Sequence, residues 1–253
     1  TFELAIQQLG GIAILNNAQI GAREPLKDVA RNLERWVSGL VARTFTQKTV
    51  DDLARYARIP VINALSDIWH PCQILADMQT LQEHFSPGSV AGLKGLNLAF
   101  VGDGNNVAHS LMITCARLGV NFTLAYPPKY DASPEIIAQT REIAAQTGAT
   151  LTLTHDPNEG VRNADAIYTD VWASMGQEDE HAKRLKDFQG FMVDEAMMQR
   201  ANPGCLFMHC LPAHRGEEVS AEVCDGPRSI IFDEAENRLH AQKALMVRLM
   251  GAR

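Results

Sequence analysis

Residues 205–214 read CLFMHCLPAH, and four of them, Cys205, His209, Cys210 and His214, are of types that bind metals or act as nucleophiles and bases. A zinc site needs three or four convergent ligands, and a Cys–His nucleophile needs a base and an oxyanion hole. The third reading is a buried strand end with an unusual composition. Neighbours on a strand point to opposite faces, so His209 and Cys210 are expected on opposite sides and no metal is expected to be required.

Other chemistry-bearing residues fall at the ends of apolar runs. In HPCQ (70–73), His70 and Gln73 share one helix face at spacing i, i+3. They read either as a helix cap or as an imidazole gripping a carbonyl beside an amide that bonds an NH2. Arg43 closes the run GLVART, as a phosphate cradle or an ordinary surface cation. VGDGNNVAHS follows a strand and opens a helix. Val107 stands where a dinucleotide fingerprint has its third glycine, and FTLAYPPK supplies no acidic ribose ligand. It reads as a tight turn or as a carboxylate site, with Asn105 and Asn106 at a helix N-terminus. YTDVWASMGQEDE places Asp170, Ser174, Met175 and Gly176 on a loop. That loop is either a solvated surface segment or a site where Asp170 pairs with a substrate ammonium.

The elements that must position these residues alternate. Strands are expected at IAIL (12–15), GLVART, PVINAL, LNLAFVGDG, VNFTLAYP, ATLTLTH, DAIYTDVW, CLFMHCLP and SIIFDE. Helices are expected from Pro25 to about Trp36, over TVDDLARYARI, HPCQILADMQTLQEHF, GNNVAHS to about Leu118, 134–147, DPNEGVRNA and 234–250. This rhythm implies α/β architecture, with parallel sheets covered by helices. The Gly-, Ser- and Pro-rich segment 86–95 is the expected domain break. In such sheets ligands bind beyond the carboxyl ends of the strands.

With 253 residues, 46% of them hydrophobic, the chain can bury a sizeable core. A net charge of −7 argues against general nucleic-acid binding, and no apolar run reaches membrane-spanning length. Five widely spaced cysteines fit a reducing compartment better than a disulfide framework. TFELAIQQLGG, starting at Thr1, reads as the middle of a helix, which leads us to expect sequence upstream.

In order along the chain, HPCQ, GDGNN, DVWASMGQE, HCLPAHRGEEV and FDEAENRLHAQKALM resemble the aspartate/ornithine carbamoyltransferases, and the pair SMG with HCLP resembles the ornithine branch. The resemblance implies two parallel-sheet, three-layer α/β domains, with the last helix packing back on the first. Residues 1–85 with 234–253 would form the carbamoyl-phosphate domain and 86–233 the amino-acid domain. It implies carbamoyl transfer from carbamoyl phosphate to ornithine, without cofactor or metal, in a cytoplasmic homotrimer or multiple of trimers. On that resemblance Arg43, His70 and Cys210 are the catalytic candidates. Gln19, Pro71, Cys72, Gln73, Leu211 and Arg238 join them in holding carbamoyl phosphate. Asn106, Asp170, Ser174 and Met175 would hold ornithine. The family's main phosphate anchor, Ser-x-Arg-Thr-Arg, would precede TFE, so the 253 residues alone are expected to form little citrulline. Two alternatives stand beside this reading: a carbamoyltransferase for another amine such as putrescine, and a non-catalytic ligand-binding homologue.

Overall fold

The computed structural model describes residues 1–17, 20–173 and 178–251. The chain forms two compact units, Thr1–Ala76 with Glu236–Arg253, and Asp77–Ala235. Both boundaries fall inside helices, within Pro71–Phe85 and Ile231–Met250.

In the first unit, α1 (Phe2–Gln8) and α2 (Leu26–Leu33) precede β1 (Leu40–Arg43). Helix α3 (Gln47–Tyr56) carries the chain over to β2 (Val61–Leu65), which pairs parallel with β1. Two small apolar clusters hold this unit. Ala30, Ala42, Val50 and Leu53 bury the α2–α3 face, and Ala5, Ile62, Cys72 and Met246 close the other side. The pairing register slips between Ala42 and Arg43, so Arg43 stands opposite Leu65. Such a slip bends the strand and re-aims the side chain that follows it.

The second unit takes in the body of α4 (Pro71–Phe85), then β3 (Asn97–Val101), α5 (Asn106–Leu118), β4 (Asn121–Ala125), α6 (Pro134–Thr147) and β5 (Leu151–Thr154). After the short α7 (Pro157–Gly160) come β6 (Ala166–Thr169), α8 (His181–Asp187), α9 (Glu195–Met198), β7 (Leu206–His209) and α10 (Ala221–Cys224). The last helix, α11 (Ile231–Met250), begins here. Among the described residues the five strands are parallel, in the order β5-β4-β3-β6-β7. The chain winds outward from β3 through β4 to β5, then restarts at β6 on the other side of β3. That reversal makes the carboxyl ends of β3 and β6 the topological switch point where ligands bind.

Buried parallel strands read as continuous apolar runs, and here AIYT of β6 is buried at all four positions. Val101, Ile167, Phe188 and Phe207 sit at the centre of this unit's core. Gly104 is required at the β3–α5 turn, because a Cβ there would lie 2.3 Å from the Ala132 nitrogen.

Two expected strands are not found. Residues 12–15 form no ladder, and Ile12, Ile14 and Leu15 are 90%, 79% and 77% exposed. An apolar run becomes a strand only with a partner edge, and the described residues offer it none. SIIFDE makes a single bridge, Ser229 to Phe207, and Ile230 N–H donates to the Phe207 carbonyl. The chain then turns into α11 three residues earlier than expected, with Asp233 and Glu234 in its first turn, where acidic side chains suit the helix dipole. Helices α8, α9 and α10 are too short to carry a clear apolar period, and sequence reading missed them.

Candidate active site

The first unit gathers cations around a buried imidazole. His70 precedes α4, and its carbonyl accepts the Gln73 and Ile74 N–H groups at 3.1 and 3.4 Å, so it caps the helix by its backbone. Its side chain is buried, and burial first, then Arg238 and Arg43, lowers its pKa to about 3. The ring is therefore a neutral N–H donor near pH 7. An Arg238 Nη1–H donates to Gln73 Oε1. With the Gln242 amide oriented to satisfy its neighbours, its oxygen accepts Arg238 Nε and Nη2, both at 2.9 Å. The Arg238 guanidinium is thus fixed on two sides, by Gln73 of α4 and by Gln242 of α11. Cys72 departs from the expectation of a contact residue. Its thiol lies in the core, donates to the Asn63 carbonyl at 3.3 Å, and is pushed up to about 11 by burial. This position can serve a ligand only through its backbone, as can Pro71 with its apolar ring.

The His70 shift has a sign. The unfolded chain titrates its histidine near 6.5 and the folded one near 3, so in that window the unfolded state binds more protons. Folding stability therefore falls as pH drops from 6.5, by at most about 1.4 kcal/mol per pH unit from this group. We expect His70→Gln to flatten the slope of stability against pH between 6.5 and 4.5 by up to one proton. Chemical denaturation at several pH values measures it, and an unchanged slope would refute the buried neutral ring.

In the second unit Asp170 is the centre, directly after β6. Its Oδ1 accepts the Val171 N–H at 2.8 Å and the Cys210 thiol at 3.0 Å; its Oδ2 accepts Asn105 Nδ2–H at 2.8 Å. Asn105 Oδ1 in turn caps α5, accepting the Val107 and Ala108 N–H groups at 3.0 and 3.1 Å. One amide thereby locks the β3–α5 turn to the end of β6, with Asn106 at the first helical position. Sequence reading weighed Asn105 with Asn106 as a carboxylate site, and the resemblance carried only Asn106 into the ornithine set. The cap preference of Asn105 was visible, whereas its bond to a residue 65 positions away was not.

The turn after β7 is built from buried polar groups. His209 Nδ1 accepts the Leu211 N–H at 2.9 Å, so the ring proton sits on Nε2, which faces Glu218 Oε1 at 3.3 Å. The His209 N–H donates to Glu234 Oε2 at 3.1 Å, and the Tyr168 hydroxyl to Glu234 Oε1 at 3.0 Å. Burial raises the Glu234 carboxyl, and a hydrogen bond with Asp77 holds it down. Cys210 has its thiol raised well above its ordinary range by burial and then by Asp170.

The expectation that His209 and Cys210 face opposite sides fails. The ligand atoms of Asp170, His209 and Cys210 lie within 4.8 Å of one another. The strand ends at His209, and Leu211 takes φ +59° before a cis bond to Pro212, so strand alternation no longer governs Cys210. These three still make a poor metal set, because both His209 nitrogens are engaged. Cys205 is buried in the core and His214 points elsewhere. Arg43 stands at the end of β1. Gln19, Ser174 and Met175 lie outside the described residues.

Removing the Asn105 side chain separates its two tasks. Asn105→Ala should cost about 1 kcal/mol of stability through the lost cap and weaken amine use roughly tenfold through the freed Asp170. Asn105→Ser keeps a cap but not the Nδ2 donor, so it should recover stability without recovering amine use. Thermal melts and steady-state kinetics on the two variants decide, and identical kinetics in wild type and both variants would remove Asn105 from the site.

Fold and site together define a two-unit α/β enzyme, with a cationic imidazole pocket on one unit and a carboxylate at the switch point of the other. The aspartate/ornithine carbamoyltransferase profiles match along the chain, the carbamoyl-P binding domain over residues 1–83 and the Asp/Orn binding domain over 94–249. The ornithine carbamoyltransferase of Thermococcus kodakarensis is 52% identical over 254 residues, covering 99% of this chain and 79% of that protein. That of Gloeobacter violaceus is 50% identical over 256 residues, 100% and 80%. The solved ornithine carbamoyltransferase from Pyrococcus furiosus superposes with a TM-score of 0.94 at 49% identity, covering 100% of this chain and 80% of that one. The chain belongs to the aspartate/ornithine carbamoyltransferase family.

Proposed function

We propose that this protein transfers the carbamoyl group of carbamoyl phosphate to the side-chain amine of L-ornithine, giving L-citrulline and phosphate. The observation that carries the amine assignment is Asp170, a carboxylate fixed by three donors at the switch point. A carboxylate there favours a cationic or amine-bearing substrate over the extra anionic carboxylate of aspartate. About 50% identity over the whole chain to ornithine carbamoyltransferases supports the same choice.

Arg43 and Arg238 supply the charge that holds the phosphate, and neutral His70 donates to the carbonyl oxygen as negative charge develops there. The neutral amine attacks the carbonyl carbon, the bond from that carbon to the phosphate-bridging oxygen breaks, and the amine gives up a proton. Phosphate is already a good leaving group, so side chains and substrates suffice. Gln73 holds the carbamoyl NH2. Asn106 takes the α-amino-acid head, Ser174 and Met175 are the further ornithine candidates, and Gln19 is the candidate for the phosphate of a neighbouring subunit. The proposal extends to a cytoplasmic homotrimer, or a multiple of trimers, serving arginine metabolism.

The test is an amine panel: ornithine, putrescine and aspartate, each with carbamoyl phosphate and the purified full-length protein. Only ornithine should give rapid product. Faster turnover of putrescine or aspartate would overturn the substrate assignment.

A further inference from the structure

The turn after the Pro212 bend carries a second cluster, distinct from the site above. His214, Glu217 and Glu218 bring their ligand atoms within 4.8 Å of one another. His214 Nδ1 lies 3.8 Å from Glu217 Oε2 and 3.9 Å from Glu218 Oε2. His181, the first residue of α8, places Nε2 3.0 Å from the same Glu217 Oε2. One imidazole and two carboxylates thus face one point, with His181 hydrogen-bonded to Glu217 at its edge, all within the second unit.

Acidic clusters are common without a ligand, and Glu218 is what sets this one apart. It is fully buried, and its Oε2 has no hydrogen-bond partner, while Oε1 accepts the His214 N–H at 2.5 Å and faces His209 Nε2 at 3.3 Å. A buried carboxylate oxygen without a donor costs desolvation that folding does not recover. This one is directed toward His214 and the half-exposed mouth of the cluster, where His181 and His214 are 45% and 49% exposed. The backbone is preset: Glu217 N–H donates to the His214 carbonyl at 3.0 Å, and Gly216 holds φ +91° between them. The neighbouring cation does not oppose a metal ion, because Arg215 is turned away into a bidentate pair with Asp225 at 2.9 and 2.5 Å.

We propose that His214, Glu217 and Glu218 bind one divalent transition-metal ion of the zinc class, with a water or other outside ligand completing its shell. Imidazole nitrogens exclude magnesium and calcium as the preferred occupants and suit zinc, cobalt or nickel. Metal–ligand arms of about 2.0–2.2 Å in a tetrahedron put ligand atoms roughly 3.3–3.5 Å apart. The 3.8 and 3.9 Å separations of His214 from the two glutamates therefore need shifts of only a few tenths of an ångström. The Glu218 carboxylate also supports His209, whose Nδ1 fixes the Leu211 N–H. A metal on its other oxygen would thus bear on the turn that carries Cys210.

The test is titration of chelator-stripped protein near neutral pH, with cobalt followed by its visible spectrum and zinc by calorimetry. The expected result is one saturable equivalent per chain, with nitrogen–oxygen d–d bands and no thiolate charge-transfer band. His214→Ala and Glu217→Gln, both at partly exposed positions, should each weaken binding roughly tenfold or more, with circular dichroism unchanged. Absence of saturable binding, equal affinity in the wild type and these variants, or a thiolate band from Cys210 would overturn the proposal.

Discussion

Asp170→Asn lowers kcat/KM for ornithine by about two to three orders of magnitude and leaves carbamoyl-phosphate binding close to wild type. Two losses combine. A charge-assisted bond to the substrate amine contributes about 1.5–3 kcal/mol, which is roughly ten- to a hundred-and-fifty-fold. The second loss is internal. Among the described residues, the carboxylate's hydrogen bonds all come from donors: Val171 N–H, the Cys210 thiol and Asn105 Nδ2. An asparagine can turn its oxygen toward only one side, so its own NH2 meets a donor on the other. Binding of carbamoyl phosphate, followed by calorimetry, provides the control, because the cationic cluster of His70 and Arg238 belongs to the other unit. Ornithine kinetics within threefold of wild type would remove Asp170 from the amine site.

Arg238→Met lowers kcat/KM for carbamoyl phosphate by about a thousand-fold. The side chain loses a phosphate contact and its grip on Gln73 together, two charge-assisted bonds at about 1.5–3 kcal/mol each. Methionine is a good helix former, so α11 itself is little disturbed. The same variant carries an independent readout. Arg238 is the second cause, after burial, of the lowered His70 pKa. Its removal should move the His70 titration upward from about 3, yet not fully to 6.5, because burial remains. Imidazole nitrogen NMR measures this. A variant with normal carbamoyl-phosphate kinetics and an unmoved His70 would show that Arg238 serves only the fold.

Much of the positioning framework could be read from the residues. Buried parallel strands leave apolar runs, and LNLAF, NFTLA and AIYT fall where β3, β4 and β6 form. The polar residues that follow them, Asn105, Asn106 and Asp170, stand at strand ends because the sheet reverses between β3 and β6. The resemblance of HPCQ and HCLP supplied their grouping, which spacing alone does not give. What sequence could not show depends on backbone turns and distant pairing. Leu211 at φ +59° swings Cys210 out of strand alternation toward Asp170, 40 residues earlier. Asn105 looks like any helix cap until Asp170 arrives beside it. The apolar run 12–15 has strand composition without a strand partner. His214 reads as part of one Cys/His cluster, whereas the turn sends it to Glu217 and Glu218 instead.

The most direct test of the central claim follows the carbamoyl carbon itself. Carbamoyl phosphate labelled at its carbonyl carbon is mixed with ornithine and the purified full-length protein, and the products are read by carbon NMR. The label should appear in the ureido carbon of citrulline, one for each phosphate released, with activity rising as pH goes from 6 toward about 8.5 because the neutral amine fraction grows. Phosphate release without labelled citrulline, or label carried to an amine other than the ornithine side chain, would contradict the assigned reaction.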